Sequence, residues 1–195
     1  MKAGVRALGV AESSRGDRST LSGAVVRADR VVDGLAFATC TVGGTDATDA
    51  VCSLLEDACR PDVRYVFLGA IAPAWYNLLS LDRIARSAGR PVLAVTFEES
   101  DGLEAGLREA FSGDDLEDRL ESYRSLPERR PVSVRDETVY VRSVGISDEE
   151  AREVVRGFTP EGGRPEPIRV ARLAARAADS HRRSVEDSSG PDCDE

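Results

Sequence analysis

Apolar positions change their spacing along this chain, and the changes mark its elements. Val5 to Ala11 is a short apolar run, followed by Glu12 to Thr20, which reads as a polar loop. Leu21 to Arg27 and Arg30 to Val42 are two further runs joined at Ala28-Asp29, a two-residue hairpin turn. From Asp46 to Cys59 the spacing becomes helical, with Ala50, Val51, Leu54, Leu55 and Ala58 on the inner side and Pro61 closing the segment. Arg64 to Leu68 and Pro91 to Phe97 are apolar without alternation, as in strands buried on both faces. Between them the pattern predicts one helix over Ala74 to Ala88, stopped by Gly89.

The second half predicts helices over Leu103 to Phe111 and Asp114 to Leu126, then a small hairpin of Val132 to Val134 and Thr138 to Val144. Ser147 with Glu150 forms a capping box for a helix ending at Phe158, and Pro165 opens a last helix to about Ser184. Three antiparallel strands followed by helix, strand, helix, strand is the order of a ribonuclease-H-like mixed sheet. Right-handed crossovers place the fourth and fifth strands parallel to the first, so the C-terminal ends of strands one and four meet where such sheets gather ligands. Residues 1–184 read as one domain of this kind, and 185–195 as a polar, acidic, disordered tail.

Charge alters the picture in kind. The net formal charge is −9, and with Lys2 as the only lysine, 25 of the 26 basic residues are arginine. This is a haloarchaeal type of composition, in which carboxylates keep a protein hydrated in a salt-loaded cytoplasm; a GC-rich genome also exchanges lysine for arginine. In such a protein only local arginine clusters carry information about polyanionic partners. No apolar run reaches membrane-spanning length and the N-terminus lacks a signal-peptide plan, so a cytoplasmic protein without membrane contact is expected. Cys40, Cys52, Cys59 and Cys193 form no CxxC pair, and with one histidine, His181, no usual zinc set exists, so reduced core cysteines are expected.

The richest stretch for chemistry is Ala38 to Asp49, where an apolar strand runs into Gly43-Gly44 and a helix starts with Thr45 as N-cap and Asp46 in the first turn. Asp46 and Asp49, three apart, share a helix face, which suits a divalent metal or a phosphate near the helix start; a capped helix behind a tight turn has the same signature. Trp75, the only tryptophan, and Tyr76 offer a stacking surface for an unpaired base or a core anchor. Asn77 offers an amide for a base edge, a phosphate or local backbone. Arg169, Arg172 and Arg176 fall on one face of the last helix, as phosphate contacts or as a solvated, ion-paired face. Arg129-Arg130 repeats that ambiguity, Ser13-Ser14 lacks a positioned base, and His181 sits among arginines that disfavour protonation.

Several landmarks together resemble the endonuclease dU family, a relative of endonuclease V. They are Leu8-Gly9-Val10 with the following acid, Val32-Asp33-Gly34, Gly43-Gly44-Thr45-Asp46-Ala47-Thr48, Leu68-Gly69-Ala70-Ile71 with Asn77, Gly89 to Val95, Tyr140-Val141 with Gly145-Ile146, and Pro165 to Ala171. The resemblance implies a ribonuclease-H-like fold and magnesium- or manganese-dependent cleavage of nucleic acid, DNA before RNA, at deaminated or damaged bases. On the family pattern Glu12 and Asp46 would carry catalysis and hold the metal; the residues themselves add Asp49 as a further metal ligand and Trp75, Asn77, Arg169, Arg172 and Arg176 as strand contacts. The family pattern has two aspartates after the first strand, where this chain has Ala11-Glu12, and an aspartate after the fourth strand, where it has Gly69. A two-metal centre needs about three to four carboxylates to offset its charge, with Glu98 and Glu99 the remaining reserves. Three readings therefore stay open: a metal-dependent nuclease, a nucleic-acid- or partner-binding module without catalysis, and a phosphate binder using the Gly43-Gly44-Thr45 helix start.

Overall fold

A computed structural model describes residues 1–188. Its centre is a sheet in the order β3-β2-β1-β4-β5-β7-β6. The strands are β1 (Arg6–Arg15), β2 (Arg18–Arg27), β3 (Val32–Thr41), β4 (Val63–Leu68), β5 (Val92–Thr96), β6 (Arg130–Val134) and β7 (Glu137–Val144). The first three are antiparallel, β4 and β5 run parallel to β1, and β7 returns antiparallel to β5. This is the ribonuclease-H-like arrangement expected from the element order. The pairing of the β6–β7 hairpin with β5 was beyond the local pattern.

Helices cover both faces. On one side α1 (Ala47–Ala58) and α3 (Leu81–Ala88) bury Val51, Leu54, Leu55 and Ile84 against Leu8, Val10, Val66 and Leu68. On the other, α6 (Asp148–Gly157) and α7 (Glu166–Ser188) bury Val154, Val155, Phe158, Ile168 and Ala171 against Ala7, Phe67, Leu93 and Val95. A short α4 (Glu104–Ala110) and α5 (Gly113–Arg124) lie between β5 and the β6–β7 hairpin in the chain. The start of α7 lies so near β1 that a Cβ at Gly9 would collide with the Pro167 carbonyl. None of these helices is long and apolar enough to cross a membrane.

Four local expectations need correction. The Glu12–Thr20 loop is instead the tip of a regular hairpin: β1 continues to Arg15, turns at Gly16-Asp17 with Gly16 at φ 75°, and pairs Arg15 with Arg18. Its alternation is hidden because the inward side chains are polar, with Ser19, Thr20 and Ser22 buried on β2. The single helix over Ala74–Ala88 is two pieces, a left-handed turn α2 (Pro73–Tyr76) and α3, separated by Asn77 to Ser80, with Ser80 capping Arg83. Asp46, and not Thr45, is the N-cap of α1. The last helix passes Ser184 and continues to Ser188; the remainder of the expected tail, 189–195, lies outside the described residues.

Candidate nucleic-acid interface

The β3–α1 junction is closed by two polar side chains. Asp46 turns back on the strand and accepts from the Thr41 amide at 3.1 Å and the Thr41 hydroxyl at 2.9 Å. Asn77, 0% exposed, donates to Asp46 Oδ1 at 2.7 Å and to the Thr41 carbonyl at 2.9 Å, and its Oδ1 accepts from the Ala47 amide at 2.9 Å. Burial alone would raise the Asp46 pKa. The hydrogen bonds from Asn77 and Thr41 outweigh it and hold the carboxyl below its ordinary value. Asn77 is thus spent on the protein's own backbone, and the expected contact from its amide to nucleic acid is corrected to an internal brace. Asp49 points elsewhere, to an ion pair with Arg83 of α3, so the shared metal-binding face of Asp46 and Asp49 does not form.

Glu12 stands on the extended part of β1. Its Oε2 accepts from Ser19 Oγ at 2.7 Å and from the Ser14 hydroxyl. Cys40, 2% exposed, lies in register with Ser19 across the β2–β3 ladder. Burial first, then Asp46, then Glu12 push the Cys40 thiol up to about 11. The thiol therefore lies within electrostatic reach of both carboxylates.

Whether these groups suit a magnesium pair is a question of free oxygen ligands and charge. Asp46 already accepts four hydrogen bonds, Glu12 accepts two, and Asp49 is neutralised by Arg83. Among the described residues no three His, Cys, Asp or Glu side chains gather to hold a metal ion. The two positions that lack the family's acids are neighbours: a Cβ at Gly69 would stand 3.7 Å from the Ala11 Cβ, with Ile168 Cγ2 at 2.9 Å. By β alternation Ala11 faces α7 whereas Glu12 faces α1, so Glu12 cannot stand in for an acid at 11. The residues present do not fit a two-ion centre.

Arginines gather along this edge, with Glu98 among them. A cleft of about 460 Å³ opens at the C-terminal ends of β4 and β5 and is lined by Arg129, Arg142, Arg164 and Arg172, with Trp75 and Tyr123 among its aromatics. Arg142 comes from β7, placed opposite Ala94 of β5. Burial lowers its affinity for the proton, Tyr123 partly offsets this, and the nearby Arg129 adds to it; Arg172 is likewise disfavoured by burial and by Arg164 and Arg176, with Glu12 as partial relief. Arg129 is held over the Tyr140 ring at 3.9 Å and donates to the Ser100 carbonyl at 3.0 Å, while Arg164 lies 4.4 Å over Phe97. None of the four forms an ion pair among the described residues. Nothing in local spacing marks Arg142 or Arg164, because strand pairing and the Gly162-Gly163 turn bring them in from distant segments.

The expected arginine face of α7 divides. Arg169 is locked bidentate onto Glu166, at 2.7 and 2.5 Å. Arg182 and Arg183 surround Asp179, which is itself buried against β1 near Ser13. Arg172 lines the cleft, and Arg176 adds positive charge beside it.

At the cleft's rim the backbone is strained. Ala74, Trp75 and Tyr76 have φ of 50°, 56° and 60°. Left-handed backbone costs a residue with a Cβ roughly 1–2 kcal/mol, so surrounding contacts must hold it. Arg119, 5% exposed, supplies them, donating to the carbonyls of Tyr76 at 2.7 Å, Gly43 at 2.8 Å and Gly44 at 3.2 Å while stacking 4.0 Å over Phe111. Gly43 donates to the Ala74 carbonyl at 2.7 Å, and a Cβ there would stand 2.8 Å from Trp75 Cε3, so a glycine is required. Trp75 itself is 55% exposed, not the core anchor that a lone tryptophan usually is.

Known proteins place this geometry. A UPF0215 protein of Pyrobaculum calidifontis is 36% identical over 159 residues, covering 80% of this chain and 86% of that protein. A protein of unknown function from Archaeoglobus fulgidus has the same fold with a TM-score of 0.79 at 25% identity, over 89% of this chain and 97% of that one. Endonuclease V of Ciona intestinalis, solved with DNA containing an inosine followed by a ribo-adenosine, shares the fold with a TM-score of 0.58 at 11% identity, over 90% and 86%. The family described as endonuclease dU matches residues 3–179, and this chain therefore belongs to the endonuclease dU family, with a fold related to that of endonuclease V.

Proposed function

We propose that this protein acts on nucleic acid carrying a deaminated or damaged base, DNA before RNA, by holding the strand along the C-terminal edge of β1, β4 and β5. The observation that carries this reading is the convergence of Arg129, Arg142, Arg164 and Arg172 on one cleft of a chain with net charge −9. Solubility gives an acidic protein no reason to gather partly buried cations that repel one another. A phosphate backbone supplies the missing charge, and arginine forks match its oxygens two at a time. Membership of the endonuclease dU family supports a phosphodiester as the bond acted on, and an endonuclease V of related fold, solved with DNA containing an inosine followed by a ribo-adenosine, supports a nucleic-acid strand as the ligand.

The proposal has a binding half and a cutting half. The binding half needs only the cleft. Metal-dependent cutting would rest on Glu12 and Asp46, and their present hydrogen bonds and the neutral positions at Ala11 and Gly69 favour a strand-binding protein that does not cut with magnesium. One consideration supports the cutting version: both carboxylates lie within electrostatic reach of Cys40.

Labelled single strands and duplexes of DNA and RNA, with and without deoxyuridine or inosine, are incubated with the protein at low and molar salt, with magnesium or manganese or neither. Binding that weakens with salt is expected, and the salt slope should fall by about 1 for each cleft arginine replaced, as in Arg142→Ala and Arg172→Ala. Metal-dependent cleavage lost in both Glu12→Gln and Asp46→Asn, with the fold intact by circular dichroism, would establish the cutting version instead. Absence of binding to every polymer ends the proposal.

A further inference from the structure

The geometry points to Trp75 as a stacking platform for one unpaired base of the bound strand, with Arg119 as the residue that positions it; this rests on the nucleic-acid reading of the cleft. A large aromatic side chain left 55% exposed loses the burial that ordinarily places tryptophan in a core. Here the exposure is enforced. The backbone at Ala74, Trp75 and Tyr76 is held in the left-handed region at three successive positions that carry a Cβ, where the sequence pattern alone would continue a right-handed helix.

Three groups over-determine that turn. The Gly43 amide binds the Ala74 carbonyl at 2.7 Å, the Asn77 amide binds the Pro73 carbonyl at 3.1 Å, and Arg119 ties the Tyr76 carbonyl to those of Gly43 and Gly44. Strain that a structure maintains at a surface, with a buried arginine dedicated to maintaining it, marks a group needed in one orientation. Phe111 and Tyr76 pack against the indole at interplanar angles of 47° and 61°, with ring centroids 5.3 and 5.7 Å away.

The ligand class follows from what surrounds the ring. Trp75 lines the same cleft as Arg129, Arg142, Arg164 and Arg172, so a π-face and a cationic track stand side by side. That pairing suits single-stranded nucleic acid, whose phosphates follow the arginines while a base lies on the indole. The one amide near the ring, that of Asn77, is buried and committed. No side-chain amide is therefore free at the platform to read a base edge, and stacking there should be tolerant of base identity.

Because Trp75 is the only tryptophan, intrinsic fluorescence reports on this position alone. The protein is titrated with a single-stranded DNA oligonucleotide and with an abasic strand of equal length, in parallel with Trp75→Ala and Trp75→Phe followed by anisotropy. The base-bearing strand should quench the emission, and the abasic strand should bind without quenching. Trp75→Ala should weaken binding of the base-bearing strand roughly 5- to 150-fold, the range of one stacked base. It should leave the abasic strand's affinity unchanged, and Trp75→Phe should recover most of the loss. Binding of both strands with equal affinity, unquenched and indifferent to Trp75→Ala, overturns the platform while leaving the cationic cleft intact. If neither strand binds, both readings fall.

Discussion

Asn77 joins three segments through one amide group, and its removal is a sensitive probe of the β3–α1 junction. Asn77→Ala leaves the Ala47 amide without its partner, removes one donor from the Asp46 carboxylate and leaves the Thr41 carbonyl with only the Gly44 amide. Unpaired buried groups cost roughly 1–3 kcal/mol each, so urea denaturation should show a loss of about 2–4 kcal/mol with an unchanged slope. Asp46 gives a pH signature at the same place. Burial opposes, but the bonds from Asn77 and Thr41 prevail and hold its folded pKa below the ordinary aspartate value. A depressed carboxyl stabilises the fold above its unfolded pKa and loses that contribution as pH falls through the folded value. Asp46→Asn should therefore be less stable than the parent at pH 7, and the gap should narrow below about pH 4. An equal gap at pH 7 and pH 3 would show that the charge of Asp46 contributes nothing.

Among the elements, the contact of α7 with β1 is the tightest constraint on the site, because the same helix carries Ile168 and Arg172 to the cleft edge. Gly9 is where the two backbones meet, against Pro167. Gly9→Ala forces the start of α7 away from the sheet. Overpacking of this kind reaches about 3 kcal/mol, and it should appear as a lowered Tm together with weakened binding of strands, since Arg172 moves with the helix. Gly34→Ala meets open space and is the control: it should change Tm little.

For the molecule as a whole, the distribution of charge is the testable property. The net charge is −9, yet four arginines line the C-terminal edge of the central strands, and two positions where the family pattern has acids are the neutral Ala11 and Gly69. Thermal unfolding in magnesium against calcium-free, magnesium-free buffer should therefore give the same Tm for this protein, because an ion stabilises only a state that binds it. The double variant Ala11→Asp with Gly69→Asp places two carboxylates on adjacent strands and should gain a magnesium-dependent rise in Tm. A rise in the parent protein would show that Glu12 and Asp46 already suffice to hold an ion.

The sequence by itself determined the order of strands and helices, the parallel central strands and the family, because those depend on local periodicity, buried apolar runs and short motifs that survive without knowledge of contacts. It also located the Gly43–Asp46 turn as a place of unusual chemistry. Only the tertiary structure decided what each polar group does there. Asn77 proved to be an internal brace and Asp49 an arginine's partner, fates set by neighbours 30 or more residues away, while Asp46 is satisfied both by nearby Thr41 and by distant Asn77. The hairpin extension at Glu12–Thr20 escaped notice because its buried positions are serine and threonine, which imitate a loop. The left-handed turn under Trp75 escaped because its stabilising groups, Gly43 and Arg119, reach it from other elements. Pattern fixes what the backbone does locally, and long-range pairing fixes which side chains remain free to act.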